Sequence, residues 1–118
     1  MRGSLKNRLH ESTMLTICQV NRIYQEGFDL FIRGVCRSGI KGEFDPGALE
    51  INIYQKNVES EYDMDITILH EFIHARDEVL SGSRLADCRL VDMEAVRTYE
   101  ENPHVLRYIK ELFDVGLS

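Results

Sequence analysis

The stretch Asp63-Met64-Asp65-Ile66-Thr67-Ile68-Leu69-His70-Glu71-Phe72-Ile73-His74-Ala75-Arg76-Asp77-Glu78-Val79-Leu80 decides how this chain is built. Plotted at about 100° per residue, Tyr62, Met64, Ile66, Ile68, Leu69, Phe72, Ile73, Ala75, Val79 and Leu80 cover most of the circumference, which predicts a largely buried helix. The arc left over is a narrow polar stripe of Asp63, Thr67, His70, His74 and Asp77. Polar groups on a buried helix are costly unless something pairs with them, so the stripe reads as the floor of a cleft.

On the N-terminal side, Leu15, Ile17, Val20, Ile23 and Tyr24 recur mostly three or four apart, with Ser12 as N-cap candidate and Gly27 as C-terminal stop. A first helix is expected over 12–27. The period then changes: Phe28, Leu30 and Ile32 alternate with polar neighbours, and Leu49, Ile51 and Ile53 alternate with Glu50, Asn52 and Tyr54. About three short strands are expected, near 28–35, 40–45 and 49–54. The last two form a hairpin across Asp45-Pro46-Gly47, where proline presets one turn angle and glycine accepts a positive one. Helical pattern resumes over 61–80 and 86–101, and again from Asn102 (N-cap) and Pro103 (first helical position) to about Phe113. This order is α+β in a single domain over residues 1–118. Residues 1–11 read as a flexible or cloning-derived start.

Composition narrows the function. Of 118 residues, 43% are hydrophobic and 29% charged, which excludes a disordered or collagen-like chain. A net charge of -6 argues against nucleic acid, because a polyanion needs a basic face to displace its counterions. No run of about 18 apolar residues occurs, so membrane insertion is not expected. Cys18, Cys36 and Cys88 are odd in number and form no CxxC pair, which fits reduced core thiols in a cytosolic protein.

His70-Glu71-Phe72-Ile73-His74 is an HExxH sequence placed within a helix. Four residues are slightly more than one turn, so both imidazoles project on one face about 40° apart and reach one zinc ion. Glu71 is offset by about 100°, beside the metal rather than on it, which suits a general base acting on bound water and then protonating the leaving amine. A catalytic zinc needs a third protein ligand. One HExxH class places glycine and histidine three and six residues past the second ligand; Asp77 and Leu80 stand there, which excludes that pattern and demotes His104 as third ligand. A carboxylate on a following helix is the other solution, and Glu94, 20 positions past His74, fills it, with Asp92 as the alternative.

With these residues the chain resembles the gluzincin metallopeptidases, and in its length and element order it is most similar to the minigluzincins. The resemblance covers roughly 12–115. It implies a minimal zincin domain: an N-terminal backing helix, a small roughly three-stranded sheet, an active-site helix, a glutamate helix and a C-terminal helix. It further implies one Zn²⁺ held by His70, His74 and Glu94, and hydrolysis of peptide or protein substrates with Glu71 as catalytic residue. A latent form is also implied, in which the C-terminal helix and tail (103–118) block the cleft within one molecule or across a homodimer, with Asp114 near the metal. The aspartate that thermolysin-like gluzincins carry four residues past the ligand glutamate is Thr98 here. Thr98, Asp77 or Asp63 is then expected behind His70, and Tyr99, His104 or Arg97 beside the oxyanion. Either strand 28–35 or strand 40–45 offers an edge for an extended peptide. Leu106, Ile109, Leu112 and Phe113 read first as core, and Cys88 as a buried thiol rather than one that blocks zinc. The alternative function is a zinc-binding regulatory or pseudo-protease module that recognises a protein partner with little or no cleavage.

Overall fold

A computed structural model describes residues 14–35, 39–81 and 88–115. Helix α1, Ile17–Gln25, starts at a capping box in which Gln19 N–H donates to Thr16 Oγ1 (3.2 Å) and Thr16 N–H to Gln19 Oε1 (3.1 Å). The cap is thus Thr16; the expected cap, Ser12, lies outside the described residues, as do 1–11. Gly27 ends the helix as expected, at φ 96°.

Three strands follow, β1 (Asp29–Arg33), β2 (Gly42–Asp45) and β3 (Glu50–Tyr54), in the order β1-β3-β2. β3 is parallel to β1 and antiparallel to β2, so the expected hairpin is present, with Asp45 opposite Glu50. Its turn differs in detail. The left-handed residue is Leu49 (φ 58°), not Gly47, and Asp45 Oδ1 accepts from Ala48 N–H at 3.1 Å.

The alternation expected along β3 also fails, because Asn52 and Tyr54 are buried together with Ile51 and Ile53. As the central strand, β3 has its second face covered by side chains of its neighbours. Arg33 Nε donates to Asn52 Oδ1 (2.8 Å), Tyr54 Oη donates to Glu43 Oε1 (2.9 Å), and the Arg33 guanidinium lies 4.3 Å over the Phe31 ring.

Helix α2, Glu61–Ser81, crosses the other face of the sheet. Ile68, Leu69, Phe72, Ile73 and Ala75 have no exposure, while Tyr62 (48%) and Leu80 (53%) are exposed. Burial is therefore confined to the middle of the helix, where other elements flank it, and does not reach the ends that periodicity alone included. Helix α3, Cys88–Glu101, packs along α2, and α4, Pro103–Leu112, follows after a single residue. Asn102 occupies the N-cap position without capping through its side chain. Its Nδ2 instead donates to Leu15 O at 3.3 Å, tying the α3–α4 corner to the start of α1.

The C-terminal stripe belongs to the core. Val105 and Ile109 are fully buried, Tyr108 Oη donates to Asn21 Oδ1 (2.5 Å), and the Phe113 ring meets Tyr24 and Phe72 edge-on at 5.4 and 5.2 Å. Asp114 is exposed in a left-handed conformation (φ 54°). The tail 116–118 lies outside the described residues. Among the described residues no helix is long and apolar enough to cross a membrane.

Phe72, fully buried and in ring contact with Phe113, joins the central helix to the end of the chain. Phe72→Ala is expected to destabilise the fold by about 3–5 kcal/mol, read as a lowered urea midpoint with unchanged m.

Candidate metal centre

The middle of α2, the start of α3 and the β2 edge enclose a cleft of about 540 Å³. Its walls include Lys41 and Gly42 from the strand side, Asp63, Thr67, His70 and Glu71 from α2, and Asp92 and Val96 from α3. The polar stripe of α2 is thus its floor from Asp63 to His70. Among the described residues both β1 and β2 are sheet edges, and β2 is the one that borders the cleft. Strand and helix approach closely at Gly42: a Cβ there would come within 2.8 Å of Thr67 Cγ2 and 3.0 Å of Glu71 Cγ. Only glycine lets the strand edge pass so near the Glu71 side chain.

One turn apart on α2, His70 and His74 bring their Nε2 atoms to 3.1 Å of each other. On the far side of the His70 ring, Nδ1 lies 2.6 Å from Asp92 Oδ1. With the Nδ1 proton donated to that carboxylate, the Nε2 lone pair of His70 points toward His74. This carboxylate–imidazole arrangement commonly orients a metal-binding histidine. Cys88 Sγ is 3.9 Å from His74 Nε2. Among the described residues, ligand atoms of His70, His74 and Cys88 lie within 4.8 Å of one another, and no other group of three side chains meets this way. Zinc bond lengths and a tetrahedral angle separate two bound imidazole nitrogens by about 3.3 Å, and nitrogen from sulfur by about 3.6 Å. The His70–His74 separation (3.1 Å) and the His74–Cys88 separation (3.9 Å) stand close to those values, and the nitrogen–sulfur set suits zinc.

Glu94 is elsewhere. It is 1% exposed, and its carboxylate receives both terminal nitrogens of Arg76: Nη1 to Oε2, and Nη2 to Oε1 at 3.1 Å. Asp77, expected behind His70, accepts from the same guanidinium, at 3.0 Å from Nε and 2.8 Å from Nη2. Burial alone would lower the Arg76 pKa, but Glu94, followed by Asp77, outweighs it and raises the value. The physical reason for the displacement of Glu94 is helical rotation. Asp92 and Glu94 stand about 200° apart on α3, so the orientation that presents Asp92 to His70 turns Glu94 into the core.

The other expected partners also take different places. Thr98 is buried, accepting from Leu15 N–H (3.1 Å) and donating to Glu94 O (2.9 Å), so it braces α3 against α1 rather than His70. Asp63 binds Lys41 at 3.0 Å. Burial pushes the Asp63 carboxyl up, but Glu59 N–H and Lys41 outweigh it and hold it below the usual value, while Lys41 is raised chiefly by its hydrogen bond to Asp63. This clasp therefore persists above the ordinary carboxylate range and is lost only as pH falls through the lowered pKa. Tyr99 packs edge-on against Tyr62 (5.0 Å) and lines a separate cavity with Asp65 and Lys110. His104 is exposed on the first turn of α4, and neither it nor Arg97 lines the cleft. No α4 residue lines it either.

The expectation of core thiols is overturned for two cysteines: Cys18 and Cys88 are both exposed, and Cys88, the first residue of α3, sits beside the histidine pair rather than in the core. Cys36 lies outside the described residues. What the sequence reading missed is a second one-turn pair. Cys88 and Asp92 are spaced i, i+4 on α3, as His70 and His74 are on α2, and the two pairs face each other. Arg76, two residues past His74, was the other overlooked signal, since a cation on a buried helix requires a carboxylate. Comparison of the chain with protein-family profiles, with curated proteins and with solved structures gave no match.

Arg76→Met would leave Glu94 as a buried charge without its guanidinium and is expected to cost about 3–5 kcal/mol, whereas the double substitution Arg76→Met/Glu94→Leu should recover most of that loss. A urea double-mutant cycle measures the coupling.

Proposed function

We propose that this chain is a zinc-dependent hydrolase of peptide bonds, with His70 and His74 as metal ligands and Glu71 as general base. The observation that carries the proposal is the facing pair of Nε2 atoms, 3.1 Å apart, with Asp92 behind His70. A zinc ion supplies, when bound, a Lewis acid that polarises a carbonyl and acidifies water. The chain's own residues do the rest. His70 and His74 offer neutral imidazole donors, and Asp92 keeps His70 in the tautomer that leaves Nε2 free to ligate. Glu71 takes the proton of the attacking water on its carboxylate and hands it to the departing amine nitrogen. The β2 edge near Lys41 and Gly42 provides main-chain groups against which an extended peptide adds as a strand, passing Glu71.

Kinship with the gluzincins rests on His70, Glu71 and His74, since Glu94 is paired with Arg76. Latency imposed by the C-terminal helix requires a second copy of the chain, because α4 is built into its own core. Two exposed free thiols, Cys18 and Cys88, accord with a reducing, cytosolic setting. A second reading, a zinc-binding regulatory or pseudo-protease module, is favoured by Cys88 standing at the histidine pair, since thiolates are commonest in structural zinc sites.

Glu71→Gln is expected to retain one zinc per chain by elemental analysis while cleavage of a peptide library falls at least about 10²-fold. Wild-type protein that carries stoichiometric zinc and cleaves nothing would sink the hydrolase and leave the binding module. Asp92→Asn should weaken zinc binding by about 10- to 100-fold, measured by competition with a chelator.

A further inference from the structure

We infer that Cys88, and not a carboxylate of α3, is the third protein ligand of the metal, so that the centre is two histidines and one thiolate. The inference rests on the metal-centre reading above and deepens it. Three features lead to it.

The first is proximity. Cys88 Sγ is 3.9 Å from His74 Nε2 and completes the one group of ligand atoms that converge among the described residues. The second is rotation. Cys88 lies about 40° from Asp92 around α3, so the contact that seats Asp92 on His70 also aims Cys88 at the histidine pair. Glu94, about 200° from Asp92, faces away for the same reason. The third is occupancy. Both Glu94 oxygens are taken by Arg76 in the core, and drawing Glu94 to the metal would strand a buried guanidinium with Asp77 alone.

The exchange leaves the charge of the centre as it would be with glutamate. A thiolate contributes the same single negative charge as a carboxylate; on coordination the thiol proton passes to solvent and a sulfur–metal bond forms. What changes is softness. Sulfur favours zinc over magnesium, calcium or manganese, and it exposes the centre to alkylation and oxidation, to which glutamate is indifferent.

Cys18, exposed on α1 and outside the cluster, provides an internal control. The full chain is treated with iodoacetamide with and without Zn²⁺, and labelling at each cysteine is followed by mass spectrometry. Zinc is expected to slow labelling of Cys88 at least tenfold and to leave Cys18 unchanged. In parallel, Co²⁺ loading should produce a near-ultraviolet thiolate-to-cobalt charge-transfer band. Cys88→Ser abolishes that band and weakens zinc binding by at least about tenfold, whereas Glu94→Gln, if folded by circular dichroism, keeps the band. Cobalt bound in a His70- and His74-dependent way with no such band, and no protection of Cys88, overturns the thiolate ligand while the hydrolase proposal stands. A chain that binds neither ion, or binds them equally well as His70→Ala/His74→Ala, overturns both.

Discussion

The buried pairing of Arg76 with Glu94 fixes how α3 is turned against α2, and the geometry of the cleft follows from that one angle. Arg76 projects from the central helix into the core, where a guanidinium is tolerated only if carboxylates surround it. Glu94 supplies two oxygens from α3, and Asp77 a third from the next position on α2. With Glu94 committed inward, Cys88, Asp92 and Val96, one turn apart, are left on the cleft side. Such a pair adds little net stability over well-packed apolar residues, because desolvation offsets the Coulombic gain. Its consequence here is orientation: a helix free to rotate by half a turn would offer the histidines a different set of side chains.

Rigid packing around that pair makes the histidine site precise. Ile68, Leu69, Phe72 and Ile73 lie in the core where α2 packs on the sheet, α1 and α3, so the backbone that carries His70 and His74 has little freedom to move. On the opposite wall, Gly42 admits the β2 edge to contact distance of Thr67 and Glu71, and the Lys41–Asp63 clasp holds that edge to the start of α2. The imidazoles, the Glu71 carboxylate and the strand edge are thus set by separate packing contacts. A site built on helices and strands in this way is held more closely than one built on loops.

The end of the chain has a part in the same construction. Phe113 reaches Phe72 from the C-terminal side while Tyr108 ties to Asn21, closing the core behind α2. Thr98 and Asn102 bond to the two backbone groups of Leu15, so the corner between α3 and α4 is moored to the start of α1. The elements farthest apart in sequence therefore support the cleft from behind without lining it.

Local pattern was enough to reveal the α+β order, the hairpin, and the placement of His70, Glu71 and His74, because each depends on spacing within one element: periods of two and 3.6, and one turn between two histidines. It also located the cleft floor, since a polar stripe on an otherwise apolar helix carries its own meaning. Glu94, Asp92 and Cys88 were visible as residues but not in their places. A helix pattern states which side chains share a face; it does not state which face meets a given neighbour, and α3 presents carboxylates on two faces. That choice depended on Arg76, 18 positions away, and on the cost of burying its charge unpaired. The same distinction holds for the sheet: alternation marked Ile51 and Ile53 as inward, while only β3's central place, beneath Arg33 and Glu43, decided that Asn52 and Tyr54 are buried as well.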